Sequence, residues 1–251
     1  MRFGALPVVE RDILVFRREL LGEIITTAAS PLTYVVIFGM GLGGYLRTVE
    51  GMPYMVFLVP GLVAMAAVQS ALDDAAWGLW FHRVVAGTIN EYRVNPITTY
   101  DIIIGKILSG FFKASFKGLI VAALLLAFTG FRTDPWHLPA YVLFLLMGSA
   151  IFSCIGTTMG TLIDQPERLG QVEVVVVMPL VLLSGVFFPL SSYPTSLLPF
   201  ITVIPTTAIF EGARQALLHG VIEPRFLTIL VITVILAFGT AVYLFDRRLS
   251  D

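Results

Sequence analysis

The sequence predicts an all-α membrane protein with six transmembrane helices, and three observations carry that prediction. Hydrophobic residues make up 57% of the 251 residues and charged residues only 13%, and the mean hydropathy is +0.89. A soluble domain carries about 25% charged residues. The chain also contains apolar runs long enough to cross a bilayer, and Lys and Arg are concentrated in alternate loops. Most of the apolar surface is therefore expected to face lipid.

Six apolar runs reach the length that a transmembrane helix needs, which is about 20 residues at a rise of ~1.5 Å each. They are residues 24–46, 54–72, 107–131, 138–163, 174–190 and 226–245. A further run, 197–210, is too short to span and contains Pro199 and Pro205. We therefore predict a re-entrant or extracytoplasmic hairpin over residues 191–212, between the fifth and sixth spans.

The distribution of positive charge predicts the orientation. With the N-terminus inside, twelve Lys and Arg residues fall on the inner side and four on the outer side. Cytoplasmic loops of membrane proteins are enriched in Lys and Arg, so both termini are predicted to be cytoplasmic. The net charge of −1 gives no indication of a nucleic-acid partner.

The segment 7–23, before the first run, is amphipathic. Apolar residues recur at steps of three and four, while charged residues, including Arg11, Arg17 and Arg18, occupy its other faces. Such a helix is predicted to lie along the inner surface of the bilayer as an interface helix. A soluble helix packed on a partner is the alternative.

Several catalytic motifs are missing. The pair Gly105-Lys106 is followed by Ile and has Tyr100 where a Walker A motif needs its first Gly, so the chain is not expected to hydrolyse ATP alone. His82, His137 and His219 are dispersed, and Cys154 is the single cysteine, which argues against a metal site or a disulfide. We therefore predict a non-catalytic protein that binds no cofactor itself.

Two other classes remain as alternatives. An ion-coupled secondary transporter should carry ionisable groups deep within its spans, and the middles of these runs are nearly free of them. A membrane-embedded enzyme acting on lipid-linked sugars would need acidic or metal-binding groups in its loops. Asp134 and Glu223 are too isolated to suit that role.

The connection between the second and third runs contains a candidate docking helix at residues 86–98. Thr88 and Glu91 have the spacing of a capping box, and Asn95-Pro96 is a turn signal. A short polar helix that ends at a proline suits a groove on a cytoplasmic partner. An ordinary connecting turn fits the same residues.

Three lysines, Lys106, Lys113 and Lys117, recur at spacings of seven and four and so share one face of the third span. Such a stripe would attract an anionic cargo or extend to lipid headgroups. Two further pairs of small residues, Gly39 with Gly43 and Gly156 with Gly160, permit close helix approach, either within one subunit or between two.

The region after residue 183 combines prolines with aromatic residues. It reads Gly-Val-Phe-Phe-Pro at 185–189, Pro-Thr-Thr at 205–207 and Glu-Gly-Ala-Arg at 211–214. It would form either an outer gate for an amphipathic cargo or an interfacial aromatic belt. The order of these motifs resembles the closing signature of type-2 ABC transporter permeases (ABC-2). The likeness extends along the whole chain, through Ser30-Pro31, Gly87-Thr88, Asn95-Pro96 and Gly105-Lys106.

Within that family, residues 105–119 look most like permeases for nodulation lipo-oligosaccharides and for drugs. The resemblance implies a homodimer in a bacterial inner (plasma) membrane, with two ATP-binding subunits that use ATP and Mg. It implies export of a lipid-linked glycan, lipo-oligosaccharide or hydrophobic drug. Residues 86–98 would be the coupling helix, with the ATPase contacts Thr88, Asn90, Glu91, Tyr92, Arg93, Asn95 and Pro96. Candidates for the translocation path or gate are Tyr34, Phe38, Phe187, Phe188 and Pro189.

Overall fold

Helices dominate the computed structural model, which describes residues 4–41, 43, 45, 48–87, 98–130 and 132–250. The first helix, α1 (Ala5–Tyr34), continues as π-helical turns over Val35–Gly41 and is followed by a hairpin of β1 (Thr48–Val49) and β2 (Met52–Pro53). Next come α2 (Tyr54–Trp80), which continues as π-helical turns over Phe81–Val85, and α3 (Thr99–Thr129). The second half contains α4 (Leu138–Leu162), α5 (Pro166–Val172), π-helical turns over Glu173–Val177, α6 (Met178–Leu183), α7 (Leu198–Ile201), α8 (Pro205–His219) and α9 (Pro224–Ser250). The predicted all-α membrane fold is confirmed.

Local signals fix both ends of α3. At its start, the Thr98 side chain accepts a hydrogen bond from the Asp101 backbone N–H, and the Asp101 carboxylate accepts one from the Thr98 backbone N–H. This reciprocal capping box satisfies N–H groups that a helix start leaves free. At its end, Gly130 has a φ of 63°, a conformation that favours glycine.

Within the part of the chain that the structure describes, five helical stretches are long and apolar enough to cross a membrane. They are Ala5–Gly41, Tyr54–Val85, Tyr100–Thr129, Pro135–Leu162 and Pro224–Arg248. The predicted fifth span, 174–190, is not among them. The helix there begins at Pro166, carries Glu167, Arg168 and Glu173, and ends at Leu183, seven residues before the predicted end. The six-span count stays a prediction.

The N-terminal helix differs from the predicted arrangement. Instead of an interface helix at 7–23 followed by a separate span, α1 runs without a break through residue 23. Its first half lies parallel to α3, since Val8 packs against Gly105 and the rings of Phe16 and Phe116 meet edge to face at 6.1 Å. The face of α1 that meets α3 also carries carboxylates opposite the lysines of α3, and these ion pairs join the two helices.

Contacts at the two ends of the bundle define how the chain runs through it. At one end, here called the Asp164 end, Arg83 and Arg248 both pair with Asp164. Ala5, near the start of α1, lies beside Gly105 near the start of α3, and Tyr100 there hydrogen-bonds Asp246 of α9 at 3.3 Å. The start of α1 and the end of α9 therefore lie on the same side of the bundle.

The opposite end, here called the His137 end, is marked by contacts of α8. His137 Nδ1 lies 3.2 Å from the Leu217 carbonyl oxygen, and the Thr133 hydroxyl donates to the same oxygen. The segment from Pro166 to His219 thus leads from one end of the bundle to the other. Within it, Ser191 bonds Glu50, whereas Thr206 returns to bond Ser184. This course suits the predicted hairpin over 191–212, which stays a prediction.

The glycine pair of α4 packs against α2 of the same subunit. A Cβ atom on Gly160 would lie 2.5 Å from the Ala76 carbonyl oxygen, and one on Gly156 would overlap the Leu72 carbonyl oxygen. Gly39 meets Met55 of α2, whereas a Cβ on Gly43 would meet nothing within 4 Å. Close packing within one chain therefore accounts for the α4 pair.

We expect the Gly160→Ala substitution to destabilise the protein by about 1–3 kcal/mol, the usual cost of overpacking. The obstructing atom belongs to the backbone of α2, so the two helices must separate. Thermal unfolding in detergent measures the effect. Gly170→Ala is the matched control, because nothing lies within 4 Å of that position, and it should be neutral or stabilising by up to ~1 kcal/mol. Equal stability of the two variants would contradict the close α2–α4 approach.

Candidate functional site

The helix that begins at Pro166 ends where the Gly-Val-Phe-Phe-Pro motif begins. Gly185 has a φ of 85°, which turns the chain out of the helix. The carbonyl groups of Gly185, Val186 and Phe187 are thereby freed from helical hydrogen bonds. Non-helical backbone inside a membrane protein is tolerated only where other groups satisfy it. These three carbonyls all accept from side chains of other helices.

Arg214 of α8 supplies most of those hydrogen bonds. Its guanidinium donates to the carbonyl oxygens of Gly185 and Val186, and its Nε donates to the carbonyl oxygen of Phe57 in α2 at 3.2 Å. It also pairs with Glu211 and lies 3.8 Å from the centroid of the Phe57 ring. The side chain is only 3% exposed. Arg214 therefore joins α2, α8 and the end of α6 at one buried point.

Two glycines make room for this arrangement. A Cβ on Gly61 of α2 would lie 3.3 Å from the Arg214 guanidinium, and one on Gly212 would overlap the ring of Phe144. The Glu-Gly-Ala-Arg motif thus holds the break in the Gly-Val-Phe-Phe-Pro motif. Both motifs are visible in the sequence, but their contact is not, because no periodic pattern relates residues 29 positions apart.

Three of the five predicted path residues meet beside this break. The ring of Phe187 lies 4.7 Å from that of Phe38 and 5.3 Å from that of Tyr34, measured between centroids. Phe187 and Pro189 are buried, whereas Phe188 is about half exposed. In the single chain, the Tyr34–Phe38–Phe187 cluster is therefore part of the core, and Phe188 is the member that faces outward.

The three lysines of α3 are paired with carboxylates of α1 and α2. Lys106 Nζ lies 2.8 Å from Asp12 Oδ2, and Lys117 Nζ lies 2.8 Å from Glu23 and 2.9 Å from Asp74. Lys113 Nζ lies 3.7 Å from Asp74. The two α1 pairs, Asp12 with Lys106 and Glu23 with Lys117, are here called the α1–α3 ladder.

This placement differs from both roles predicted for the lysines. Their side chains are 6%, 17% and 3% exposed for Lys106, Lys113 and Lys117, respectively. A buried lysine that is already paired neither extends to lipid headgroups nor offers a free charge to an anion. One signal in the sequence does match this pairing, namely a shared spacing. Asp12 and Glu23 are separated by the same number of residues as Lys106 and Lys117.

A cavity of about 480 Å³ lies among α1, α2 and α3 and is here called the charged cleft. Its apolar wall includes Val15, Phe16 and Trp77. Its charged and titratable lining residues are Asp12, Glu19, Glu23, Asp73, Asp74, His82, Lys106, Lys113 and Lys117. Ionisable groups in helices of this length usually mark functional sites. The cleft is therefore a second candidate site beside the Arg214-held break.

The remaining predicted residues fall elsewhere. Arg17 and Arg18 are exposed on α1, and Arg11 is partly buried. The coupling residues Thr88, Asn90, Glu91, Tyr92, Arg93, Asn95 and Pro96 lie outside the described residues. At the Asp164 end, the hydrogen bond from Arg83 lowers the pKa of the Asp164 carboxyl group, and the positive charges of Arg83 and Arg248 act in the same direction.

The family follows from comparison with known proteins. The family model described as ABC-2 type transporter matches residues 7–218. The chain belongs to the ABC-2 permease family. The matched range of this ABC-2 permease includes the Arg214-held break, the Tyr34–Phe38–Phe187 cluster and the charged cleft, which confirms the resemblance seen in the sequence. The apolar helices and the family together make it a multi-pass membrane permease.

Curated relatives of this ABC-2 permease include transport and nodulation proteins. The inner membrane transport permease YadH of Escherichia coli K12 is 28% identical over 211 residues, covering 83% of this chain and 80% of YadH. Nodulation protein J of Bradyrhizobium diazoefficiens is 26% identical over 244 residues, covering 96% and 92%. Nodulation protein J of Sinorhizobium fredii NGR234 is 27% identical over 247 residues, covering 97% and 93%.

Proposed function

We propose that this chain is the membrane-spanning subunit of an ATP-driven exporter that moves an amphipathic cargo out of the cytoplasm. The observation that carries the proposal is the family match over residues 7–218. The chain lacks a Walker A motif, so the ATP-binding subunits are separate, and two of them serve a homodimer of this chain. The candidate cargoes are a lipid-linked glycan, a lipo-oligosaccharide or a hydrophobic drug.

The proposed site of action is the bacterial inner membrane, with both termini in the cytoplasm. The likeness to an inner membrane transport permease supports the location. The orientation is supported by the excess of Lys and Arg on the predicted inner side. It is also supported by the contacts that bring the start of α1 and the end of α9 to the Asp164 end of the bundle.

The proposed mechanism couples the two ends of the bundle. ATP binding closes the partner ATPases, and residues 86–98 transmit that motion to the helices. The break held by Arg214, together with the Tyr34–Phe38–Phe187 cluster, is the element that opens outward. Aromatic faces suit both sugars and acyl chains, so this position fits an amphipathic cargo.

Transport by the reconstituted complex tests this function. In vesicles that contain the permease and its ATP-binding partner, we expect cargo movement to require ATP and to stop when the catalytic carboxylate of the ATPase is changed to an amide. One observation favours a second candidate, an ion-coupled transporter, because the charged cleft places ionisable groups within the helices. Transport that persists without ATP and collapses with the proton gradient would establish that candidate instead.

The coupling role of residues 86–98 has its own test. We expect the combined Glu91→Ala and Arg93→Ala substitutions to abolish the stimulation of ATP hydrolysis by cargo and to leave the stability of the permease unchanged. Arg132→Ala is the control, because that exposed residue follows α3 near the His137 end. If the stimulation persists in the Glu91 and Arg93 variant, the docking proposal is wrong.

A further inference from the structure

The charged cleft carries an excess of negative charge. Five carboxylates (Asp12, Glu19, Glu23, Asp73 and Asp74) face three lysines, so its formal charge is −2, and a protonated His82 would still leave it negative. The lysines are already paired with three of these carboxylates. Within the described part of the chain, no Lys or Arg lies within ion-pair distance of Asp73 or Glu19.

Among the described residues, three buried oxygen atoms of the cleft make no hydrogen bond, and one of them, Asp74 Oδ2, is paired with Lys117 at 2.9 Å. The other two are Ser70 Oγ and Asp73 Oδ1. Ser70 is only 5% exposed, and it lies three residues before Asp73, so both side chains project from the same face of α2. An unpaired buried polar atom costs free energy. These two atoms therefore point to a ligand that donates hydrogen bonds.

The surroundings of Asp73 indicate that this ligand is a cation. Asp73 lies next to Asp74 in α2, and among the described residues only Asp74 of the two pairs with a lysine. A cation beside a carboxylate that has no counter-charge stabilises its ionised form. An anion would instead have to displace Asp12, Glu23 or Asp74 from its lysine.

The rest of the cleft suits the apolar part of such a ligand. Phe16 and Trp77 line it, and aromatic faces attract cations and pack against alkyl chains. Its volume of about 480 Å³ falls within the range of small-molecule sites. Glu19, Thr26 and Ser30, which line it on the α1 side, are exposed, so a ligand can enter from that side.

We propose that the charged cleft binds the protonated amine of a cationic amphiphile. The amine donates hydrogen bonds to Ser70 Oγ and to Asp73, while the apolar part lies against Phe16 and Trp77. The inference rests on the proposed export function and names the cargo class of the same protein.

Two matched fluorescent probes test the proposal. One is an alkylamine that carries the dansyl group at the far end of its chain and keeps a free primary amine, and the other is a fatty acid of the same chain length with the dansyl group at the same place. Each probe is titrated into the permease alone in phosphatidylcholine nanodiscs, without ATP. We expect the amine probe to bind at least ~10-fold more tightly than the fatty-acid probe. Asp73→Asn should weaken amine binding by about 10-fold, the effect of losing one charge-assisted hydrogen bond, and Ser70→Ala by about 3-fold.

The control is Glu10→Gln, which removes a carboxylate that is exposed on α1 and does not line the cleft. It should leave both affinities unchanged. The proposal is overturned if the two probes bind equally to the unmodified protein, a comparison that needs no variant to fold. It is also overturned if Asp73→Asn binds the amine normally, or if the fatty-acid probe binds more tightly and Lys113→Gln removes that binding. Because no nucleotide is present in the binding assay, these results test only the cleft as a binding site. The vesicle assay tests ATP-driven export separately.

Discussion

The Arg214→Leu substitution is expected to destabilise the permease by about 3–5 kcal/mol, the range measured when one partner of a buried ion pair is removed. Glu211 would lose its cation, and the carbonyl groups of Gly185, Val186 and Phe57 would lose their donor. We expect low yield from the membrane and a large drop in the temperature of thermal unfolding in detergent. Arg214→Lys should recover only part of the loss, because one ammonium group lacks the planar fork of donors.

A second variant separates the two functions of Arg214. In the double variant Arg214→Leu with Glu211→Gln, no buried carboxylate is left without a cation, but the backbone carbonyls still lack a donor. We expect little recovery of stability. The matched control is Arg225→Gln, since Arg225 is exposed at the start of α9. Full recovery in the double variant would show that Arg214 serves the Glu211 ion pair and not the break after α6.

The Asp12→Leu substitution is expected to cost a similar amount, about 3–5 kcal/mol, for a different reason. Lys106 is buried, and Asp12 accepts hydrogen bonds from both Lys106 and Ser109. Without the carboxylate, the buried ammonium group loses the one ion-pair partner it has among the described residues. Thermal unfolding in detergent again reports the change.

Here the double variant should behave in the opposite way. Replacing both partners, Asp12→Leu with Lys106→Met, leaves an apolar contact between α1 and α3, and such replacements are often close to neutral. We therefore expect most of the lost stability to return. Glu10→Gln, on the exposed face of the same helix, is the control. If the double variant is as unstable as Asp12→Leu alone, the pair does not act as a unit.

The main helices could be predicted from the sequence because their causes are local. An apolar run of sufficient length predicts a membrane helix whatever surrounds it, and α2, α3, α4 and α9 all lie where such runs occur. The closing motifs were sufficient to indicate the family, which the comparison confirms.

The pairing of distant charges was not predictable from local patterns. Lys106 and Asp12 are 94 positions apart, and sequence periodicity places each on a face of its own helix without saying which helix lies opposite. The amphipathic pattern of residues 7–23 therefore suggested a helix lying on the bilayer surface, whereas its carboxylates turn inward. The end of α6 at Leu183 was missed for a related reason, because the donor that stabilises the break is on α8.

The spacing of the α1–α3 ladder has a mechanical meaning. Eleven residues make three helical turns of ~3.67 residues, so both rungs return to the same face with almost no coiling of the helices about each other. The rungs are about 16 Å apart along the axis at a rise of ~1.5 Å per residue. One ion pair alone would leave α1 free to rotate relative to α3 about that single contact. Two ion pairs at this separation oppose that rotation, so α1 and α3 are expected to tilt together as one rigid unit.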